Sequence, residues 1–91
     1  MKITALYTII IYTISSCPYC VKAKQLLDKK SFKYTEINIE NNPSLKEEMI
    51  QKTNGRRTVP QIFINGIHIG GCDDLHLLEK QGKLDDITAG T

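Results

Sequence analysis

The residues best equipped for chemistry in this 91-residue chain are Cys17 and Cys20, separated by Pro18 and Tyr19. A C-x-x-C pair serves either as a dithiol–disulfide couple or as half of a metal site. For redox work the position matters more than the spacing. A cysteine at the first turn of a helix faces backbone N–H groups that lack helical partners and the positive end of the helix dipole, and both favour thiolate over thiol. Cys17 meets that condition, and Cys20, one turn inside, meets it less well. Positions three apart share a helix face, so a Cys17–Cys20 disulfide is feasible. Pro18 fits the first helical position, where its missing N–H would be unpaired anyway. Tyr19 is expected to project outward as an apolar wall with a polar tip.

The metal reading would recruit Cys72 together with His68 or His76. No second C-x-x-C and no H-x-x-x-H accompanies the first pair, which counts against a zinc site. Cys72 by itself suits a small buried hydrophobe better than a catalytic thiol. His68, in an alternating segment, suits an exposed or hydrogen-bonded side chain better than a ligand.

The elements that must position these residues follow from periodicity. Tyr7 to Thr13 is nearly continuous in β-branched and aromatic residues, which predicts a central strand covered on both faces. Pro18 to Lys30 carries Val21, Ala23, Leu26 and Leu27 at three- and four-residue spacings, an amphipathic helix that begins at the cysteine motif. Phe32 to Ile39 alternates and predicts a second strand. Asn42-Pro43 starts a second helix with a stripe of Leu45, Met49 and Ile50, stopped by Asn54-Gly55. Gln61 to Ile64 and Ile67 to Ile69 flank Asn65-Gly66, a strong hairpin signal. After Gly70-Gly71, Asp73 or Asp74 is expected to cap a last helix with Leu75, Leu77 and Leu78 inward, followed by a short turn around Leu84 and Ile87. The order β-α-β-α-β-β-α predicts an α/β, thioredoxin-like fold, with a four-stranded mixed sheet flanked by helices.

Composition narrows the function classes. Ninety-one residues, 41% hydrophobic, suit one domain spanning 1–91. Twelve basic against ten acidic residues leave +2, too weak a field to expect nucleic acid or an anionic membrane as partner. Three cysteines are too few, and oddly numbered, for a secreted disulfide scaffold. Ile14-Ser15-Ser16-Cys17 also has the form of a lipoprotein cleavage box after a partly apolar run. Five polar or hydroxyl-bearing residues interrupt that run, however, and cleavage would delete the most strand-like segment. The run is also well short of the roughly 20 apolar residues of a membrane span.

Three motifs, in this order and spacing, resemble the glutaredoxins, specifically the dithiol class of bacterial type: Cys17-Pro18-Tyr19-Cys20, Thr58-Val59-Pro60, and Gly70-Gly71-Cys72-Asp73-Asp74-Leu75. The resemblance runs from Tyr7 to about Leu84. It implies a glutathione-dependent thiol–disulfide oxidoreductase with Cys17 as nucleophile and Cys20 as resolving thiol. It further implies that Pro60 is cis and that Val59 pairs with the glutathione cysteinyl backbone. Gly71, Cys72, Asp73 and Asp74 would seat the γ-glutamyl group, with Cys72 acting through its backbone, and Tyr19 and Thr58 would complete the surface. Arg56 and Arg57 are both candidates to meet the glycyl carboxylate, with Arg57 assigned to it. The partners expected are glutathione and disulfide-containing or glutathionylated proteins, with the chain acting as a cytoplasmic monomer and without a metal or iron–sulfur cluster. Pro18 resembles members that keep the cysteine pair free for redox work. The chain departs from the family at Ile14, where many members carry a lysine.

Overall fold

The computed structural model describes residues 7–88. Strand β1 (Ile9–Thr13) leads into helix α1 (Pro18–Lys29), strand β2 (Thr35–Asn38) and helix α2 (Pro43–Lys52). The hairpin of β3 (Gln61–Ile64) and β4 (Ile67–Gly70) follows, then helices α3 (Cys72–Lys80) and α4 (Lys83–Thr88). The strands lie in the order β2-β1-β3-β4. β1 and β2 run parallel across the α1 crossover, and the other neighbours are antiparallel. β1 is therefore interior, so cleavage before Cys17 would remove the strand on which both halves of the sheet pair.

Strand alternation divides the core into two layers. Ile9, Ile11, Ile62 and Ile64 point one way and pack with Ala23 and Leu27 of α1, Cys72 and Leu75 of α3 and Leu84 of α4. Tyr12 and Phe63 point the other way, onto Ile39 and Met49. This is why β1 reads as continuously apolar: the two sets of its side chains are buried against different helices.

Local chemistry fixes the helix starts. Asn42 caps α2 through a 3.1 Å bond from the Leu45 N–H to its side-chain oxygen, with Pro43 in the first turn. Asn65 and Gly66 adopt φ of 54° and 80°, the left-handed pair that a two-residue hairpin turn requires.

The structure corrects several expectations. The first strand begins at Ile9, not Tyr7, and β2 covers only Thr35–Asn38. Phe32 is not in β2, because its N–H closes the end of α1 by donating to the Leu27 carbonyl at 2.9 Å. Val21 and Leu77 are exposed rather than inward, lying off the faces defined by Cys20, Ala23 and Leu27 and by Cys72 and Leu75. The N-cap of α3 is Gly71, not an aspartate; Asp74 sits in the first turn and accepts the Gly71 N–H at 3.0 Å. The expected turn around Leu84 and Ile87 is helix α4, which buries Leu84 completely.

Leu27 is fully buried at the centre of the larger layer. Leu27→Ala should cost about 2–5 kcal/mol of unfolding free energy, read from urea denaturation of the reduced protein.

Candidate active site

The end of β1 and the first turn of α1 bring the cysteine pair to one end of the sheet, beyond its interior strand. Cys17 is the N-cap of α1, extended at φ −113° and ψ 105°, and its Sγ accepts the Cys20 N–H at 3.2 Å. The sulfur thus fills the role that a serine or aspartate oxygen usually takes at a helix start. Its other neighbour is the Val59 carbonyl oxygen, 4.0 Å away, in the loop between α2 and β3. The Val59–Pro60 peptide is cis, as the resemblance implied.

The two thiols differ in surroundings. Cys17 retains 9% of its surface, whereas Cys20 retains 1%. Burial, reinforced by the hydrogen bond and charge of Cys17, pushes the Cys20 thiol up to about 12. Burial and then the Asp73 carboxylate push Cys72 upward as well. Cys72 is 6% exposed, matching its expected place as a small buried hydrophobe. All three cysteines are free thiols.

Beside the pair lies a cleft of about 230 Å³, lined by Tyr19, by Arg56, Thr58, Val59, Pro60 and Gln61, and by Gly71, Cys72, Asp73 and Asp74 at the start of α3. Tyr19 is 57% exposed at its mouth, with the Lys22 ammonium 5.6 Å from its ring centroid. Gly70, at φ +123°, brings the backbone so close to α3 that a Cβ there would collide with the Asp74 carboxylate. The carboxylate that anchors the Gly71 N–H is thus packed directly on the backbone it orders.

Of the glutathione contacts predicted from sequence, the cleft gathers all but Arg57, and the cysteine pair lies beside it. Arg57 lies in an adjoining groove with Ile14, Glu40, Asn41 and Lys46, and Val59 borders both hollows. Sequence reasoning missed Gln61, which looked like the one polar residue of a strand; only the sheet register places it at the cleft. The histidines weighed as ligands are engaged elsewhere: His68 Nε2 meets Gln61 Oε1 at 2.7 Å, and His76 Nδ1 meets the Cys72 carbonyl at 2.9 Å. Among the described residues no group of three or more His, Cys, Asp and Glu side chains is arranged to hold a metal ion, and no helix is long and apolar enough to cross a membrane.

Comparison with known proteins agrees with this geometry. The family model described as Glutaredoxin matches residues 9–69. Glutaredoxin 1 of Rickettsia prowazekii (strain Madrid E) is 57% identical over 88 residues, covering 96% of this chain and 93% of that protein. The solution structure of glutaredoxin from Brucella melitensis superposes with a TM-score of 0.79 at 48% identity, over 92% of this chain and 91% of that one. The crystal structure of the buckwheat glutaredoxin–glutathione complex gives 0.83 at 30% identity, over 92% of this chain and 78% of that one.

The buried thiol of Cys20 makes stability depend on pH in a defined direction. Unfolded, it ionises near its ordinary value of 9.0; folded, it holds its proton to about 12. The folded chain therefore binds more protons in that interval, and the stabilisation, complete below pH 9, is lost as pH rises towards 12. Tyr12, raised from 10.0 to about 12 chiefly by burial, adds to this only above pH 10. Urea unfolding of the reduced protein between about pH 9 and 10 should show a downward slope that Cys20→Ala makes shallower by about 1.4 kcal/mol per pH unit or less.

Proposed function

The chain belongs to the glutaredoxin family, thiol–disulfide oxidoreductases that draw electrons from glutathione, and on that footing we propose that Cys17 is its nucleophile and Cys20 its resolving thiol. The observation that carries the assignment is the seating of Cys17 Sγ on the α1 N-terminus, facing the Val59 carbonyl at the border of the cleft. Cys20, buried and held protonated, is no competitor for the first attack.

With a glutathione mixed disulfide, the Cys17 thiolate attacks the glutathionyl sulfur. The S–S bond breaks, the target leaves as a thiolate that takes up a proton, and Cys17 carries the glutathionyl group. A second glutathione thiolate then attacks that glutathionyl sulfur, forming glutathione disulfide and returning Cys17 as thiolate. With a protein disulfide, the intermediate is a Cys17–protein bond. Cys20 gives up its proton and attacks Cys17 Sγ, which releases the protein thiol and leaves a Cys17–Cys20 disulfide for two glutathiones to reduce.

The two adjoining hollows suit the two ends of the tripeptide. Its cysteinyl backbone pairs with Val59 as an added strand would, beside Thr58 and Pro60. The γ-glutamyl carboxylate lies on backbone N–H groups of Cys72 and Asp73 at the start of α3, next to Gly71, with Tyr19 as a wall. Asp74 is engaged by Gly71, which leaves Asp73 better placed to receive the ammonium. The chain then crosses Val59 into the second groove, where Arg57, with Lys46 beside it, meets the glycyl carboxylate. The same reading makes residues 1–91 one domain, a cytoplasmic monomer that acts on disulfide-containing or glutathionylated proteins without a resident metal or cluster. Three cysteines, too few and oddly numbered for a secreted disulfide scaffold, support the compartment.

The test is reduction of a small glutathione mixed disulfide by the reduced protein, with glutathione, glutathione reductase and NADPH supplied. Cys17→Ser should abolish it. Cys20→Ser should retain it while losing most reduction of protein disulfides, since only that reaction needs an internal resolving thiol. Equal inactivity of both variants towards the mixed disulfide would refute the division of roles.

Ile14 is 37% exposed at the rim of the Arg57 groove. Ile14→Lys adds a cation there and should lower KM for glutathione by up to about fivefold at low ionic strength, fading as salt rises. Steady-state kinetics at two salt concentrations check this.

A further inference from the structure

Gln61 is an anomaly in its layer, a polar side chain 1% exposed on the face that also carries Tyr12 and Phe63. Both ends of its amide are engaged. Nε2 donates to the Thr58 carbonyl at 3.0 Å and lies 3.3 Å from Thr58 Oγ1, while Oε1 faces His68 Nε2 at 2.7 Å. His68 stands opposite Phe63 in the hairpin register, its ring tilted 32° against the phenyl ring at 5.0 Å between centroids.

These contacts fix the hydrogens. The Thr58 carbonyl can only accept, so the amide nitrogen of Gln61 must face it, and the oxygen is left for His68. That oxygen can only accept too, so His68 Nε2 carries a hydrogen. Burial, followed by the Arg56 guanidinium, holds His68 below its ordinary value against the opposing pull of Asp74, so the neutral ring carries its hydrogen on Nε2.

We infer that His68 and Gln61 are positioning residues: the chain His68 Nε2–H to Gln61 Oε1, and Gln61 Nε2–H to Thr58, holds the Thr58-Val59 backbone in register with the Cys17 sulfur. Thr58 is exposed and its loop belongs to no helix or strand, so this buried amide is what ties the exposed turn to the interior of the sheet. Its consequence is chiefly for substrate docking, because the sulfur is seated on the α1 N-terminus at 3.2 Å and meets the Val59 carbonyl only at 4.0 Å. The inference rests on the assignment of Val59 as the docking edge.

The experiment uses the reduced full chain, with Gln61→Met, which keeps length and apolar bulk but removes the donor to Thr58, and His68→Phe, which keeps a ring against Phe63 but removes the donor to Gln61. Each should raise KM for the glutathione mixed disulfide by about three- to tenfold with kcat nearly unchanged, the scale of one lost hydrogen bond. The rate of Cys17 alkylation by iodoacetamide, which uses no docking turn, should stay at the wild-type value. The double variant should be no worse than Gln61→Met alone, because His68 acts through Gln61. Nitrogen-15 spectra of the wild type should show His68 in the Nε2–H form. Unchanged KM in both variants, fully multiplicative effects in the double variant, or an Nδ1–H tautomer would overturn the relay while leaving the docking assignment intact. A wild type that does not turn over the mixed disulfide would overturn the docking assignment and the relay with it. Should Gln61→Met fail to fold, His68→Phe and the tautomer decide the matter.

Discussion

Cys17 caps its own helix, and most of the architecture follows from making that possible. For the sulfur to accept the Cys20 N–H at 3.2 Å, the chain must leave β1 extended, turn at once and begin α1 with a proline whose missing N–H is not needed. The strand that delivers it must be immobile, and β1 is paired on both edges and buried on both faces. A helix start supplies unpaired donors and a favourable dipole end only at its first turn. One turn later a thiol is in the situation of Cys20, where burial keeps the proton on sulfur.

Two further elements, both from the later half of the chain, converge on that point. The loop before β3 sets the Val59 carbonyl beside Cys17, and the tight passage from β4 into α3 sets a second helix start across the cleft. The glycine at position 70 permits this approach, since its positive φ and lack of a side chain let the Asp74 carboxylate reach back to the Gly71 N–H. The site is thus built from backbone more than from side chains, which suits a ligand that is itself a peptide.

The layers of the core divide the labour. The larger, between the sheet and α1, α3 and α4, is almost wholly aliphatic and fixes the two helix starts relative to one another. Polar groups also enter the interior on the side of the smaller layer, under α2: Tyr12 donates to Glu48 at 2.8 Å, Thr53 binds the end of its helix, and Gln61 reaches Thr58. Buried polar groups specify one arrangement because leaving any of them unpaired is costly. None of the buried side-chain polar atoms among the described residues lacks a partner. The exposed docking turn is attached on this side, so the polar layer governs geometry that the aliphatic layer cannot.

The sequence by itself determined what is local. The C-x-x-C spacing, Pro18 at a helix start, Asn42-Pro43, and Asn65-Gly66 between β-rich runs each carry their structural meaning within a few residues, and each element they announced is present. It offered Asp73 or Asp74 as the cap of α3 and missed Gly71, because the cap depends on how closely β4 approaches the helix. Nor could it separate Arg56 from Arg57, adjacent in the chain yet directed into different hollows on either side of Val59. Val21 and Leu77 looked inward because apolar character marks a helix face only approximately; which face is covered is decided by the helix packed against it. Gln61 shows the limit most clearly. Read along the chain it is an ordinary polar residue opening a strand, and only the pairing of β3 with β1 and β4 brings Tyr12 and His68 around it, because strand register is a long-range contact that no local signal encodes.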